Sequence, residues 1–125
     1  MSRSLVLSLA LLPALTLASD YSARYDSCLD SANSTLDITG CIHEEYQAQD
    51  ARLNQAYRTL SSQLDKDNRH SLLTAQRLWI KFRDANCTMY ARLTGGSIDR
   101  INSAECQLRM TSERAGELER AWRGE

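Results

Sequence analysis

The stretch Ile101-Asn102-Ser103-Ala104-Glu105-Cys106-Gln107-Leu108-Arg109-Met110-Thr111-Ser112-Glu113-Arg114-Ala115-Gly116-Glu117-Leu118-Glu119-Arg120-Ala121-Trp122 decides the fold. Within it Ile101, Ala104, Leu108, Thr111, Ala115, Leu118 and Trp122 recur in alternating steps of three and four. That is the period of one helical face, and a seam this regular requires partners to bury it. Just ahead stands Thr94-Gly95-Gly96-Ser97. Its glycines accept a left-handed turn that ends a preceding helix, and Ser97 can cap the next one.

Working back from that turn, the spacing predicts a third helix from about Arg69 to Leu93. Leu72, Leu73, Trp79, Ile80, Phe82, Cys87 and Tyr90 form its buried face, with the large aromatics as core anchors. Asp65-Lys66-Asp67-Asn68 reads as a polar turn in which Asp67 or Asn68 caps that helix. A second helix is expected from about Cys41 to Leu64. Its seam is Ile42, Tyr46, Leu53, Ala56 or Tyr57, Leu60 and Leu64, with polar Gln49 in the row. Asn33 to Gly40 reads as a polar connector with Leu36 and Ile38 turned inward. Tyr21, Tyr25, Cys28, Leu29 and Ala32 fall at helical spacing and predict a short first helix. Pro13 is the only proline, and strong β-formers are few. The expected class is all-α: a small antiparallel helical bundle of three long helices plus a short N-terminal helix, stapled by two disulfides.

The disulfides follow from the first residues of the chain. Residues 1–18 read as a signal peptide, with Arg3 as the positive end, an apolar run from Leu5 to Leu17, and Thr16-Leu17-Ala18 as the cleavage site. Cleavage leaves residues 19–125 as one helical domain in the periplasm or outside the cell. No later segment is apolar enough to span a bilayer, and no cysteine stands at the cleavage point to take a lipid. In an oxidising compartment Cys28, Cys41, Cys87 and Cys106 are expected to pair. Four cysteines allow three pairings. Cys28–Cys41 and Cys87–Cys106 are favoured, because Cys87 and Cys106 lie at similar distances on either side of the Gly95-Gly96 turn. The sequence leaves the other pairings open.

Charge is distributed unevenly. From Asp20 to Asp50 the acids Asp20, Asp26, Asp30, Asp37, Glu44, Glu45 and Asp50 face the single base Arg24, a balance of −6, whereas Ala51 to Glu125 carries +4. Near-neutral balance overall excludes a general nucleic-acid binder. The acidic third would steer a cationic partner towards itself.

Motifs for catalysis are missing from the sequence. His43-Glu44-Glu45 lacks the second histidine of a zinc protease motif, and His43 and His70 read as surface residues. The cysteines are not spaced for a zinc or redox site. Glu44 and Glu45 are neighbours on a helix and point in different directions, so they do not form the carboxylate pair of a glycosidase. No metal or cofactor is expected. More informative are the polar residues set among apolar ones: Asn54 and Tyr57; Gln76, Arg83 and Asp84 around Trp79; Thr111 and Arg114 on the last seam. They read as a structural network, with Arg83 or Arg114 bonded to Asp50, Asp84 or Glu117.

Read in order, these residues resemble the LprI-type lysozyme inhibitor family of secreted bacterial proteins. The resemblance runs from Tyr25-Asp26-Ser27-Cys28 through Cys41 and Asp50-x-x-Leu53-Asn54-x-x-Tyr57-x-x-Leu60. Its most specific part is Gln76-x-x-Trp79-Ile80-x-Phe82-Arg83-Asp84-x-x-Cys87. Gly96-Ser97, Cys106 and Thr111-x-x-Arg114-x-x-Glu117-Leu118 complete it. It implies a small disulfide-bonded helical domain and inhibition of lysozyme-like muramidases, which with no catalytic constellation in the sequence is expected to be non-enzymatic and to act by docking. A cationic muramidase would then meet the acidic surface at Asp37, Glu44, Glu45 and Asp50. The alternative expectation is an envelope module that binds another protein or a toxin. The sequence does not fix the oligomeric state.

Overall fold

The computed structural model describes residues 21–125; the expected signal peptide and cleavage site lie outside these residues. Four helices follow in order: α1 (Ala23–Ser31), α2 (Thr35–Gln63), α3 (Lys66–Tyr90) and α4 (Ile98–Arg123). No strand occurs among the described residues. The all-α expectation and the count of three long helices plus one short helix both hold.

Local chemistry sets the helix starts. The Ser22 hydroxyl caps α1 by accepting from the Tyr25 N–H. Ser34 caps α2 by accepting from the Asp37 N–H at 3.1 Å, and the Asp37 carboxylate accepts in return from the Asn33 N–H at 3.2 Å. This is a capping box in which the acid reaches one residue further back. It starts α2 six residues before Cys41, so most of the expected connector is helix. Leu36 consequently points outward and is 79 % exposed, while Ile38 packs inward. Asp65, rather than Asp67 or Asn68, caps α3 by accepting from the Asn68 N–H at 2.8 Å.

The turn before α4 is built differently from the cap the sequence suggests. Gly95 takes φ +79°, the left-handed conformation foreseen there. Ser97 occupies the N-cap position but makes no side-chain cap bond. Asp99 instead ties the preceding loop to the helix, accepting from the Thr94 N–H, the Thr94 hydroxyl and the Gly95 N–H. Burial pushes the Asp99 carboxyl up, but these bonds outweigh it and hold it below its ordinary value.

α4 is the central element. It packs along α2 over most of its length and against α3, while α1 rests on α2. One apolar cluster joins Leu53, Ala56 and Leu60 of α2, Leu72 of α3, and Ala115 and Leu118 of α4, with Tyr57, Leu64 and Trp79 at its edge. A second joins Tyr25, Cys41, Ile42 and Leu108. The predicted seam of α4 is buried from Leu108 to Leu118, while Ile101 and Ala104 are half-buried and Trp122 is exposed. Cys28 pairs with Cys41 and Cys87 with Cys106, the favoured connectivity, at Cα separations of 5.7 and 5.5 Å. Each bridge stabilises the fold by roughly 2–4 kcal/mol. Met110 fills the space beside the second bridge, with its sulfur 3.8 Å from Cys87 Sγ.

α3 corrects the sequence reading most. Its buried residues are Leu72, Gln76, Arg83 and Cys87. Phe82, expected in the core, is 62 % exposed, and Ile80 also faces solvent. Two polar side chains occupy the inward row because each finds partners there.

Candidate functional site

Two groupings of the singled-out residues emerge: a polar network between α3 and α4, and an acidic surface on α1 and the start of α2. In the network the Arg83 guanidinium lies 5.0 Å from the Trp79 ring centroid and 5.9 Å from that of Tyr46, so it is held between aromatic faces contributed by α3 and α2. Such a contact suits a guanidinium stripped of most of its water. Its Nη1 donates to Thr111 Oγ1 at 3.3 Å, and its Nε to Asp84 Oδ1 at 3.0 Å. One turn away, Arg114 Nε donates to Gln76 Oε1 at 3.0 Å, and its Nη1 pairs with Glu117 at 2.8 Å.

Arg83 thus meets Trp79, Asp84 and Thr111, and Arg114 meets Gln76 and Glu117. Asp50 is not part of the network; it accepts from the exposed Asn54 amide at 3.3 Å. Asn54 lies on the outer surface of α2, whereas Tyr57 packs against the core. No buried side-chain nitrogen or oxygen among the described residues lacks a partner. The network therefore holds α3 on α4 through satisfied bonds. Beside it opens a cleft of about 370 Å³ lined by Ile42, His43, Tyr46, Arg83, Asp84, Ala104 and Gln107.

The acidic residues divide into two kinds. Asp26, Asp30, Asp37 and Glu44 are exposed. Asp37 and Glu44, seven residues apart, share one face of α2. The Ser34 and Asn33 bonds hold the Asp37 carboxyl below its ordinary value. The Glu44 carboxylate lies 3.5 Å from Arg24 in an open ion pair, an arrangement of little energetic weight. Glu45 departs from its expected place on this surface. It is 4 % exposed and accepts from the Ser22 N–H at 3.0 Å, from the Ser22 hydroxyl, and from Gln49 Nε2 at 2.9 Å. Burial pushes its carboxyl up, but the Ser22 and Gln49 bonds prevail and keep it below the ordinary glutamate range. Glu45 fastens α1 to α2, leaving no free carboxylate for a partner.

Sequence reading passed over the longest-range ion pair. Arg52 Nε and Nη2 donate to the two oxygens of Glu119 at 2.8 and 2.7 Å, a two-pronged bridge between α2 and α4. Its members lie 67 residues apart, and no local pattern marks them. Among the described residues no three His, Cys, Asp or Glu side chains gather where a metal could sit, and no helix is long and apolar enough to cross a membrane.

The architecture is that of a small helical domain stapled by disulfides, consistent with an oxidising compartment, with an acidic outer face at its N-terminal end. The chain belongs to the family described as lysozyme inhibitor LprI, whose model matches residues 27–118. It is also similar to an uncharacterised protein of Rhizobium meliloti (strain 1021), 29 % identical over 101 residues, which cover 70 % of this chain and 73 % of that one. No solved structure matches the chain significantly.

Proposed function

We propose that this protein is an exported, non-enzymatic inhibitor of lysozyme-like muramidases that blocks its target by protein–protein docking. Membership of the inhibitor family carries the reading. The exposed acids of α1 and α2 support it physically. They offer a cationic enzyme a surface of opposite sign, which speeds encounter and fixes orientation more than it adds affinity. Asp37 and Glu44 are the proposed contacts on α2; Asp26 and Asp30 of α1 are also exposed and add to the negative charge of this end of the molecule. Asp50 lies on another side of α2, away from the Asp37–Glu44 face. Glu45 acts from beneath, by holding α1 in place.

The test is muramidase activity measured against added oxidised protein, at two salt concentrations and with several lysozyme classes. Dose-dependent inhibition is expected. The double reversal Asp37→Lys with Glu44→Lys is expected to weaken it by about tenfold and to flatten its salt dependence. Failure to inhibit any class at micromolar excess would overturn the proposal. Full inhibition by the double variant would remove the acidic face from it.

A further inference from the structure

The outward face of α3 carries apolar side chains that the fold does not use. Leu78, Phe82 and Met89 are 61, 62 and 51 % exposed, and Leu93 in the following turn is 56 % exposed. Steps of four and seven place the first three on one side of α3, away from the row of Leu72, Gln76, Arg83 and Cys87 that packs inward. Single exposed apolar residues are ordinary, whereas an aligned set on one face marks a binding surface.

A row of cations runs beside this face. Arg77 precedes Leu78, Lys81 precedes Phe82, and Arg92 precedes Leu93. All three cations are exposed, and none makes an ion pair with another described residue. Beside the cations Asp84 pairs with Arg83, and on α4 Glu113 pairs with Arg109 and Glu117 with Arg114; the exposed Asp67 stands at the far N-terminal end of α3, ten residues before Arg77. The face is therefore apolar with an uncompensated positive border.

We propose that this face of α3 is a membrane-docking surface, on which the domain lies against an anionic lipid bilayer. Leu78, Phe82, Met89 and Leu93 enter the boundary between headgroups and acyl chains, and Arg77, Lys81 and Arg92 extend to the lipid phosphates. The charge excludes the cationic enzyme of the preceding proposal from this face. A second copy fits poorly as well. Antiparallel two-fold pairing of α3 would set the basic row against itself, and four apolar side chains fall far short of the roughly 20–30 residues a side that a stable interface uses. A bilayer needs neither shape complementarity nor a large patch.

The experiment is co-sedimentation of the oxidised protein with vesicles of phosphatidylglycerol and phosphatidylcholine in equal parts, compared with pure phosphatidylcholine. Binding to the anionic vesicles only, weakened by salt, is the expected result. Leu78→Ser with Phe82→Ser should weaken it about tenfold or more. Reversal of Arg77, Lys81 and Arg92 to Glu should abolish the preference for phosphatidylglycerol. Leu36→Ser, on a still more exposed leucine of α2, should leave binding unchanged, and circular dichroism checks that each variant keeps its helices. Absence of binding to anionic vesicles overturns the proposal. So does a stripe variant that alters self-association or muramidase inhibition while vesicle binding is undetectable, because a protein then covers the face. Muramidase inhibition in vesicle-free buffer reports on the preceding proposal alone, so either can fail without the other.

Discussion

α2 and α3 rest on the same helix and use it in opposite ways. α2 buries Ile42, Leu53, Ala56 and Leu60 together with polar Glu45 and Gln49, and Leu36 is the one large apolar side chain it leaves exposed. α3 turns Gln76 and Arg83 inward with Leu72 and Cys87, and leaves Leu78, Phe82 and Met89 outside. The first helix is held mainly by apolar burial, which is non-directional and tolerant, with the Arg52–Glu119 bridge added to it. The second is held by a disulfide, a stacked guanidinium and hydrogen bonds that work only in one arrangement. α3 can thus keep an apolar face free for another surface without losing its own position.

Mutations can break this contrast. Leu53→Ala should lower unfolding stability in urea by about 2–5 kcal/mol, because it empties a filled site between α2 and α4. Phe82→Ala should change it by no more than about 0.5 kcal/mol. Comparable losses at the two positions would mean that the outward face of α3 is packed in solution. Arg83→Ala should cost about 1–3 kcal/mol, since it strips Thr111 of its partner and leaves a gap between Trp79 and Tyr46. Arg83→Met, which keeps most of the stem, should recover part of that loss. No recovery would show that the charge and its bonds, rather than stacking, hold the inward row.

A smaller effect separates the ends of the molecule by pH. Glu45, Asp99 and Glu119 have carboxyls held below their ordinary values in the folded state. Depressed folded values mean that their stabilisation is complete above the unfolded carboxyl range of about 4. It is lost as pH falls through the lower folded values. Thermal melts should be flat above that range and decline below it, and Glu45→Gln should make the decline shallower. An unchanged slope in Glu45→Gln would show that the Ser22 bonds do not depend on the charge.

Most of the fold was legible in the sequence because the α4 seam and the cysteine positions are strong, local signals. The α2 start was not. Ser34 and Asp37 form a capping box within a polar stretch that also contains Gly40, so composition favoured a connector over the cap. The orientation of α3 was misread for a different reason. Apolar residues occur on two of its faces, and hydropathy alone assigns Phe82 and Ile80 inward. Arg83 takes the inner row because Tyr46, 37 residues earlier in the chain, and Thr111, 28 later, complete its surroundings. Glu45 was placed outside for a similar reason, since the Ser22 groups that bind it belong to another helix. Side chains whose partners lie far along the chain leave no periodic trace.

The central position of α4 also sets the order in which the structure can assemble. α2 and α3 adjoin through a short turn but touch each other little beside their contacts with α4. Closure of both apolar clusters therefore waits for the last 26-residue helix. Contacts between segments so far apart along the chain slow folding, because the intervening chain must be ordered before they form. A chain delivered N-terminus first, from a ribosome or through a pore, stays pliable until its final quarter emerges, and then closes around that segment.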